Sequence, residues 1–380
     1  MTTVDSIVEE YDGNVATGVE AEELEDGEQI QPWDPETIRV NTRQFSLRNI
    51  LDQIEDHDIE LAPDFQRHRV WNHRQKSRLI ESILLQIPLP AFYFAEDAEG
   101  MYRVVDGLQR LSTVNEFVRR NQFALKDLEY LKDAEGKRHD ELAAAWRRRI
   151  SNAQIVVHVV DPTTPDGVKY DIFKRINTGG TPLNAQEIRH CMSKDRSRNF
   201  LKDCAASEEF RQATPKSLHD HARMVDREAV LRFCAFRRIG GWRGYSEYGS
   251  METLLQRTTA ALDDPAIVSG QELDGLASDF LHAMRNSYLV FGRHAFRKWP
   301  RDTDSLNPFN RALFESWSVA LADRDADWLT AVKEATVSSA RQAMTDDADY
   351  IAAISYSTGS YDKVQIRFEK ALEILAEVRG

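Results

Sequence analysis

Strand-like and helix-like segments are distributed unevenly along this chain of 380 residues. Runs of β-branched and aromatic residues, such as AFYF at 91–94 and QIVVHVV at 154–160, lie in its first half. From residue 184 onward, apolar residues recur at the spacing of amphipathic helices, as in REAVLRFCAFRRI and KVQIRFEKALEILAEV. We therefore expect an α+β protein with an α/β domain at 39–183 and a mainly α-helical domain at 184–380.

Local signals place the first elements of the α/β domain. Ser46 is positioned to cap a helix over SLRNILDQIED. A second helix is predicted in WNHRQKSRLIESILLQIPLP, ended by Pro88. Its apolar residues at helical spacing are Leu79, Ile80, Ile83, Leu84 and Ile87. Two strands joined by an acidic turn are expected in AFYFAEDAEGMYRVVDG, followed by a helix that begins near Gln109.

The charge of the chain is concentrated at its N-terminus. Residues 1–38 hold twelve Asp or Glu and no Lys or Arg, so of the net charge of −13 only −1 belongs to residues 39–380. This composition predicts a disordered tail over 1–38. Two roles stay open for it: a solubilising arm, or a mimic of DNA that occupies a basic groove until it is displaced.

The remaining composition narrows the protein class. Three widely spaced cysteines without a CxxC pair argue against a disulfide framework or zinc ribbon. No apolar run is long enough to span a membrane and no secretory signal is recognisable, so a cytoplasmic protein is expected. Arginine-rich stretches at 147–149, 193–200 and 232–245 are either solvated helix faces or contacts for a phosphate backbone.

The stretch YRVVDGLQRLSTV at 102–114 carries the strongest functional signal. A predicted strand delivers Asp106 to its carboxyl end, where α/β proteins place ligands. Gly107 permits a tight turn, and the following helix begins with N–H groups suited to a phosphate. Candidate ligand contacts in this stretch are Asp106, Gly107, Gln109, Arg110, Ser112 and Thr113. A plain Asp-Gly turn with Asp106 as a helix cap is the structural alternative.

Two further stretches combine hydrogen-bonding groups with sharp turns. PDFQRHRVW at 63–71 places Gln66 and Arg67 between two aromatic residues. FKRINTGGTPLNAQEIRHC at 173–191 contains a Gly-Gly loop whose amides can form an anion nest, ahead of a helix that Asn184 could cap. Its candidate contacts are Arg175, Asn177, Thr178, Gly179 and Gly180. Either stretch alone is also compatible with an ordinary polar loop.

Together, PDFQRHRVW, LIESILLQIPLPAFYF, VVDGLQRLSTV and FKRINTGGTPLNAQEIR resemble, in this order, the signature segments of the GmrS-like family. That family has a ParB/sulfiredoxin-like N-terminal domain and includes parts of GmrSD-type restriction enzymes and of phosphorothioate-sensing antiphage proteins. The resemblance implies that the turn at 106–110 binds NTP phosphates, with Gln66, Arg67 and the 175–180 loop contributing. It also implies NTP hydrolysis and an interaction with DNA.

The chain departs from the family pattern in two places. Leu108 stands where the more usual motif has a glutamine. If that position touches the ligand, hydrolysis or base preference would change, whereas a side chain in the core would change nothing. We also find no HNH-type nuclease module in the last 180 residues, so DNA cleavage by an HNH mechanism is not expected of this chain.

The leading hypothesis is an NTP-binding, NTP-hydrolysing sensor or regulatory protein of an antiphage or modified-DNA restriction system. In it, Asp106, Gln109 and Arg110 act in catalysis, and Asp106 holds Mg²⁺ or orients water. The alternatives are a non-catalytic module that recognises modified DNA, and a metal-dependent DNA nuclease acting with a partner. A partner nuclease and homo-oligomerisation are left open, and no membrane partner is expected.

Overall fold

The computed structural model describes residues 7–12, 15–22, 38–61, 71–97, 99–176, 183–221 and 223–378. The chain divides into two compact units. One comprises Gln31–Met192, and the other combines Met1–Ile30 with Ser193–Gly380. An α/β region followed by a helical region is confirmed, and the acidic N-terminal segment groups with the helical part.

The described residues contain seven β-strands in two sheets. They are β1 (Glu9–Asp12), β2 (Val15–Glu20), β3 (Val40–Ser46), β4 (Ile59–Glu60), β5 (Phe92–Glu96), β6 (Tyr102–Asp106) and β7 (Gln154–Val160).

Fifteen α-helices are described, six of them before residue 193. These six are α1 (Leu47–Glu55), α2 (His73–Leu84), α3 (Leu108–Val118), α4 (Ala144–Asn152), α5 (Asp166–Ile176) and α6 (Ala185–Met192). The others are α7 (Asp195–Ala206), α8 (Glu208–Ala213), α9 (Val225–Arg238), α10 (Met251–Asp263), α11 (Gly270–Phe291), α12 (Arg311–Leu321), α13 (Ala326–Asp346), α14 (Ala348–Ala353) and α15 (Tyr361–Glu377).

The five-stranded sheet of the α/β unit has the order β3-β7-β5-β6-β4. Strands β3 and β7 pair antiparallel, as do β5 and β6, whereas β5 with β7 and β4 with β6 pair parallel. The carboxyl ends of β4 and β6 therefore lie at one edge of the sheet, together with the amino end of β5. This edge is called the site edge below.

Local sequence signals explain where the first helices begin. The Ser46 hydroxyl accepts a hydrogen bond from the amide of Asn49, so its predicted capping role is confirmed. Asn72 and Gln75 form a reciprocal capping box at the start of α2.

The predicted end of the second helix is wrong by one turn. Helix α2 ends at Leu84, with Leu85 as its C-cap, and Gln86 takes a left-handed conformation with a φ of 61°. Ile87 is therefore outside the apolar stripe and is 50% exposed. The chain turns before Pro88, since the residue preceding a proline is itself disfavoured in a helix.

One face of the sheet carries α5 and α6. Val105 of β6 and Val160 of β7 form a buried cluster with Tyr170, Phe173 and Ile188 from the two helices. This packing brings the end of β6 and the end of α5 into the same part of the unit.

Aromatic residues dominate the core of the helical unit. The ring centroid of Phe280 lies 5.8 Å from that of Phe210 and 5.3 Å from that of Phe233, and Phe291 packs edge-on against Trp317. The helices predicted at 227–239 and 363–378 are confirmed within a few residues as α9 and α15. Their apolar faces converge on this core.

The predicted disorder of the acidic N-terminus is wrong for residues 7–12 and 15–22. Strands β1 and β2 form an antiparallel hairpin. Val19 is fully buried in the helical core, and the amide of Phe309 donates to the carbonyl of Gly18. The acidic composition predicted disorder, but burial of Val19, backbone hydrogen bonds to Phe309 and long-range ion pairs hold the segment against the helical unit.

Those ion pairs form a buried charge network, defined by four cations and five carboxylates. The cations are Arg232, Lys298, Arg311 and Arg367, and the carboxylates are Glu10, Glu20, Glu22, Glu228 and Glu315. Glu315 is 0% exposed and lies 2.5 Å from Arg232. Three of the five carboxylates come from the N-terminal segment, so most of the buried positive charge is balanced by that segment.

We predict that Glu22→Gln destabilises the protein by about 2 kcal/mol, because it leaves Arg232 and Arg311 with less compensating charge in a buried site. The change is measured by urea-induced unfolding near pH 7. Glu334→Gln, at an exposed position of α13, is the matched control and should stay within about 0.5 kcal/mol of wild type.

The Glu22 effect should depend on pH. Burial alone would raise the pKa of Glu22, but Arg232 and Arg311 lower it below the ordinary value of 4.5. Its stabilising charge is thus complete above that value and lost as pH falls through the lower pKa of the folded state. The difference in unfolding free energy between wild type and Glu22→Gln should therefore decrease in this acid range. A difference that does not change with pH would contradict the stabilising role of the Glu22 charge.

Candidate functional site

The turn between β6 and α3 is built around Gly107. This residue has a φ of 95° and a ψ of 7°, in the left-handed region that glycine adopts at little cost. A Cβ atom placed at Gly107 would lie 2.2 Å from Cδ1 of Phe92. The turn therefore requires glycine both for its backbone conformation and for the close approach of the Phe92 ring.

Arg110 closes this turn from the first turn of α3. Its Nη2 atom lies 2.7 Å from Oδ2 of Asp106 and donates to the carbonyl of Ala91 at 3.1 Å. Its Nη1 atom donates to the carbonyl of Pro90. The guanidinium carbon also lies 4.1 Å from the centroid of the Phe92 ring, within the range of a cation–π contact.

Burial and charge act in opposite directions on this arginine. The Arg110 side chain is 12% exposed and that of Asp106 is 33% exposed. Burial lowers the pKa of Arg110, while the nearby Asp106 carboxylate raises it, with a net lowering. Arginine remains charged in proteins, so the site contains a guanidinium–carboxylate pair at the site edge.

The Gln66–Arg67 stretch follows β4 in the sequence. Strand β4 is parallel to β6, so the chain leaves β4 at the same site edge at which Asp106 lies. Gln66 and Arg67 themselves lie outside the described residues, and their proposed contacts stay predictions.

The third stretch is described in part. Arg175 is exposed near the C-terminal end of α5, two residues after Phe173, which packs in one cluster with Val105. Asn177, Thr178, Gly179 and Gly180 lie outside the described residues. Beyond them, the side chain of Asn184 accepts from the amide of Glu187, so the predicted cap of α6 is confirmed.

The other positions of the central motif differ in exposure. Leu108 is only 4% exposed, which answers the question raised by its departure from the family pattern: its side chain is in the core. Thr113 is 1% exposed and donates within α3 to the carbonyl of Gln109, so its hydroxyl does not reach the surface as predicted. Ser112 is half-buried, and Gln109 is also half-buried.

Sequence reasoning missed the partners of Arg110 on the neighbouring strand. The carbonyls of Pro90 and Ala91 and the ring of Phe92 are supplied by the segment that enters β5. Carbonyl acceptors leave no sequence signal, although two closely spaced prolines, Pro88 and Pro90, indicate an extended chain there. Arg110 is therefore a structural link between β5, β6 and α3 as well as a candidate ligand contact.

A multidentate metal site is not found in the described part of the chain. No group of three or more His, Cys, Asp or Glu side chains there could hold a metal ion. Among the described residues, Asp106 is the carboxylate at the turn that could contact a cation. The other oxygen ligands would then come from a bound molecule.

Comparison with known families assigns this unit to a class. Residues 47–193 match the sequence model of the GmrSD restriction endonuclease, N-terminal domain. Over these residues the chain therefore contains a GmrSD-type N-terminal domain. A search of curated proteins returned no matching relative. None of the described helices is both long and apolar enough to cross a membrane.

We predict that Gly107→Ala destabilises the protein by about 3 kcal/mol, combining the cost of a left-handed alanine with overpacking against Phe92. Gly100→Ala is the matched control, since Gly100 has a φ of 85° and a Cβ atom placed there would have no neighbour within 4 Å. It should lose only about 1 kcal/mol. Thermal and urea unfolding measure both, and equal losses would show that the Phe92 contact is unimportant.

Proposed function

We propose that this chain is an NTP-binding and NTP-hydrolysing sensor or regulatory protein of an antiphage or modified-DNA restriction system. The nucleotide site is the turn at 106–110 on the site edge. The observation that carries the proposal is the arrangement of Arg110, which is fixed by neighbouring groups while part of its donor capacity is still available.

The donor count of Arg110 supports phosphate binding. A guanidinium has five N–H groups. Bonds to Asp106, Pro90 and Ala91 occupy three of them among the described residues. The Nε–H and one Nη1–H are left for a ligand, and the ring of Phe92 holds the group in place. Such a preorganised arginine can bind phosphate oxygens with little further loss of side-chain entropy.

The start of α3 supports the same role. Gly107 has no side chain, and among the described residues no side chain caps this helix. The first amides of a helix have no intrahelical acceptor and carry the positive end of its dipole. A phosphate group at the turn would therefore meet backbone N–H groups and Arg110 together.

Mg²⁺ fits the donor set at Asp106. This ion is commonly held by one or two carboxylates plus phosphate oxygens, and Asp106 is a partly exposed carboxylate next to the phosphate position proposed here. When a phosphate takes over part of the Arg110 contact, the Asp106 carboxylate becomes available to the cation. Gln109 would orient the attacking water, and bound Mg²⁺ would neutralise charge on the transferring phosphoryl group.

The remaining motif residues complete the site in this proposal. Gln66 and Arg67, which follow β4 in the sequence, would contact the triphosphate. The 175–180 loop, with Arg175, Asn177, Thr178, Gly179 and Gly180, would close over it. Ser112 is half-buried one turn into α3, so of the proposed contact residues it has the least structural support.

A second candidate is a non-catalytic module that recognises modified DNA. The ion pair at the turn also favours this candidate. Because Arg110 is already paired with Asp106, its charge is compensated without a bound nucleotide. In that case the match to a restriction endonuclease domain would reflect DNA recognition, and DNA affinity would not change on addition of NTP.

We predict that Arg110→Ala weakens binding of ATP or GTP with Mg²⁺ by tenfold or more, because a charged hydrogen bond is worth about 1.5–3 kcal/mol. Isothermal titration calorimetry measures binding, and phosphate release measures hydrolysis. Asp106→Asn should retain nucleotide binding better than it retains hydrolysis, since it keeps the shape of the side chain and removes the cation ligand.

Arg119→Ala is the control for this experiment. Arg119 follows the last turn of the same helix and pairs with Asp52 and Glu55, far along α3 from the turn. It should leave nucleotide affinity within about twofold of wild type. Melting temperatures of all variants separate loss of the site from loss of the fold. Wild-type protein that binds none of ATP, GTP, CTP and UTP would refute the nucleotide proposal.

A further inference from the structure

Two of the three arginine-rich stretches are engaged inside the helical unit. Arg196 of α7 donates to the carbonyls of Leu262 and Val268. Arg232 belongs to the buried charge network, and Arg237 pairs with Asp279 and Asp323. These three arginines are therefore not part of a solvated or phosphate-binding face, whereas Lys194, Arg238 and Arg243 of the same stretches are exposed.

The third stretch behaves differently. Arg147, Arg148 and Arg149 lie on α4 and are exposed. None of them is within ion-pair distance of a carboxylate among the described residues. Arg149 donates to the carbonyl of Leu84 at 2.9 Å, at the C-terminal end of α2, which fixes its direction. This helix thus presents three positive charges that the described part of the unit does not neutralise.

The geometry of α4 directs two of these arginines to one place. Ala145, Arg148, Arg149 and Asn152 are spaced i, i+3, i+4 and i+7, so they share one face of the helix. All four line a single open cleft of about 560 Å³. The small side chain of Ala145 leaves room beside the two guanidinium groups.

The rest of the cleft lining combines polar and apolar side chains. It includes Gln86 and Ile87, in the segment that follows α2, and Gln154 at the start of β7. Ile87 is 50% exposed, a high value for an isoleucine. No carboxylate is found among the described residues that line the cleft.

We infer that this cleft, whose lining does not include the turn at 106–110, is a binding surface for the phosphodiester backbone of duplex DNA. Two arginines supply the charge for phosphates, and carboxamides supply neutral hydrogen bonds to the backbone or to base edges. A magnesium-bound nucleotide would need a carboxylate or similar oxygen ligand, which the described lining does not offer. The inference rests on the proposed function only in that the chain acts on DNA.

The test is the affinity for a fluorescently labelled 20-base-pair duplex, measured by anisotropy at several salt concentrations. Arg148→Glu should weaken binding at least tenfold. Arg148→Gln should lower the slope of log affinity against log salt by about 0.9, the value for one lost phosphate contact. Arg120→Glu is the matched control, because it makes the same charge change at an exposed site beyond the far end of α3. It should alter affinity less than twofold.

The possible results distinguish a failure of the cleft as a DNA site from a failure of the proposed function. Equal weakening by Arg148→Glu and Arg120→Glu would overturn the cleft as a DNA site while leaving DNA binding by the chain intact. A wild-type chain that binds no duplex would refute DNA contact as such, and with it this inference. Loss of ATP affinity in Arg148→Glu, with DNA affinity retained, would overturn the inference by showing that the cleft holds a nucleotide.

Discussion

The pair formed by Asp106 and Arg110 across Gly107 is the interaction on which the site edge depends. A single guanidinium joins the end of β6, the entry to β5 and the first turn of α3, and it stacks on Phe92. The ion pair with Asp106 and the hydrogen bonds to backbone carbonyls thus hold β5, β6 and α3 in one arrangement. The same group keeps unused N–H donors, so structural support and ligand binding do not exclude each other.

A different electrostatic constraint shapes the helical unit. The sequence separates acidic residues at the N-terminus from arginines on α9, α12 and α15, and the fold brings them together in the buried charge network. Buried charges are tolerated when each has a partner, and their removal one at a time is costly. The N-terminal hairpin is therefore an integral part of the helical unit, and its carboxylates pair with buried cations such as Arg232, for which the sequence left a solvated face or a phosphate contact open.

Much of the architecture could be predicted from local signals. The Ser46 cap, the paired strands around residue 98 and the start of α3 follow from capping, alternation and turn chemistry, which act over a few residues. The end of α2 was missed because periodicity continued through Ile87 although the backbone had already turned at Gln86. At the candidate site, sequence identified Asp106, Gly107 and Arg110, but it assigned a surface role to Thr113, whose hydroxyl bonds within α3.

The sequence by itself determined the class of the α/β domain, because four ordered motifs and the change from strand to helix periodicity are encoded in residue order. Tertiary structure decided which charges meet. In two of the three arginine-rich stretches, Arg196 and Arg232 are engaged by distant carbonyls and carboxylates, whereas the arginines on α4 are exposed and two of them line a cleft. The physical reason is that charge compensation and burial depend on contacts between residues far apart in the chain, and no local pattern encodes which partner folding will supply.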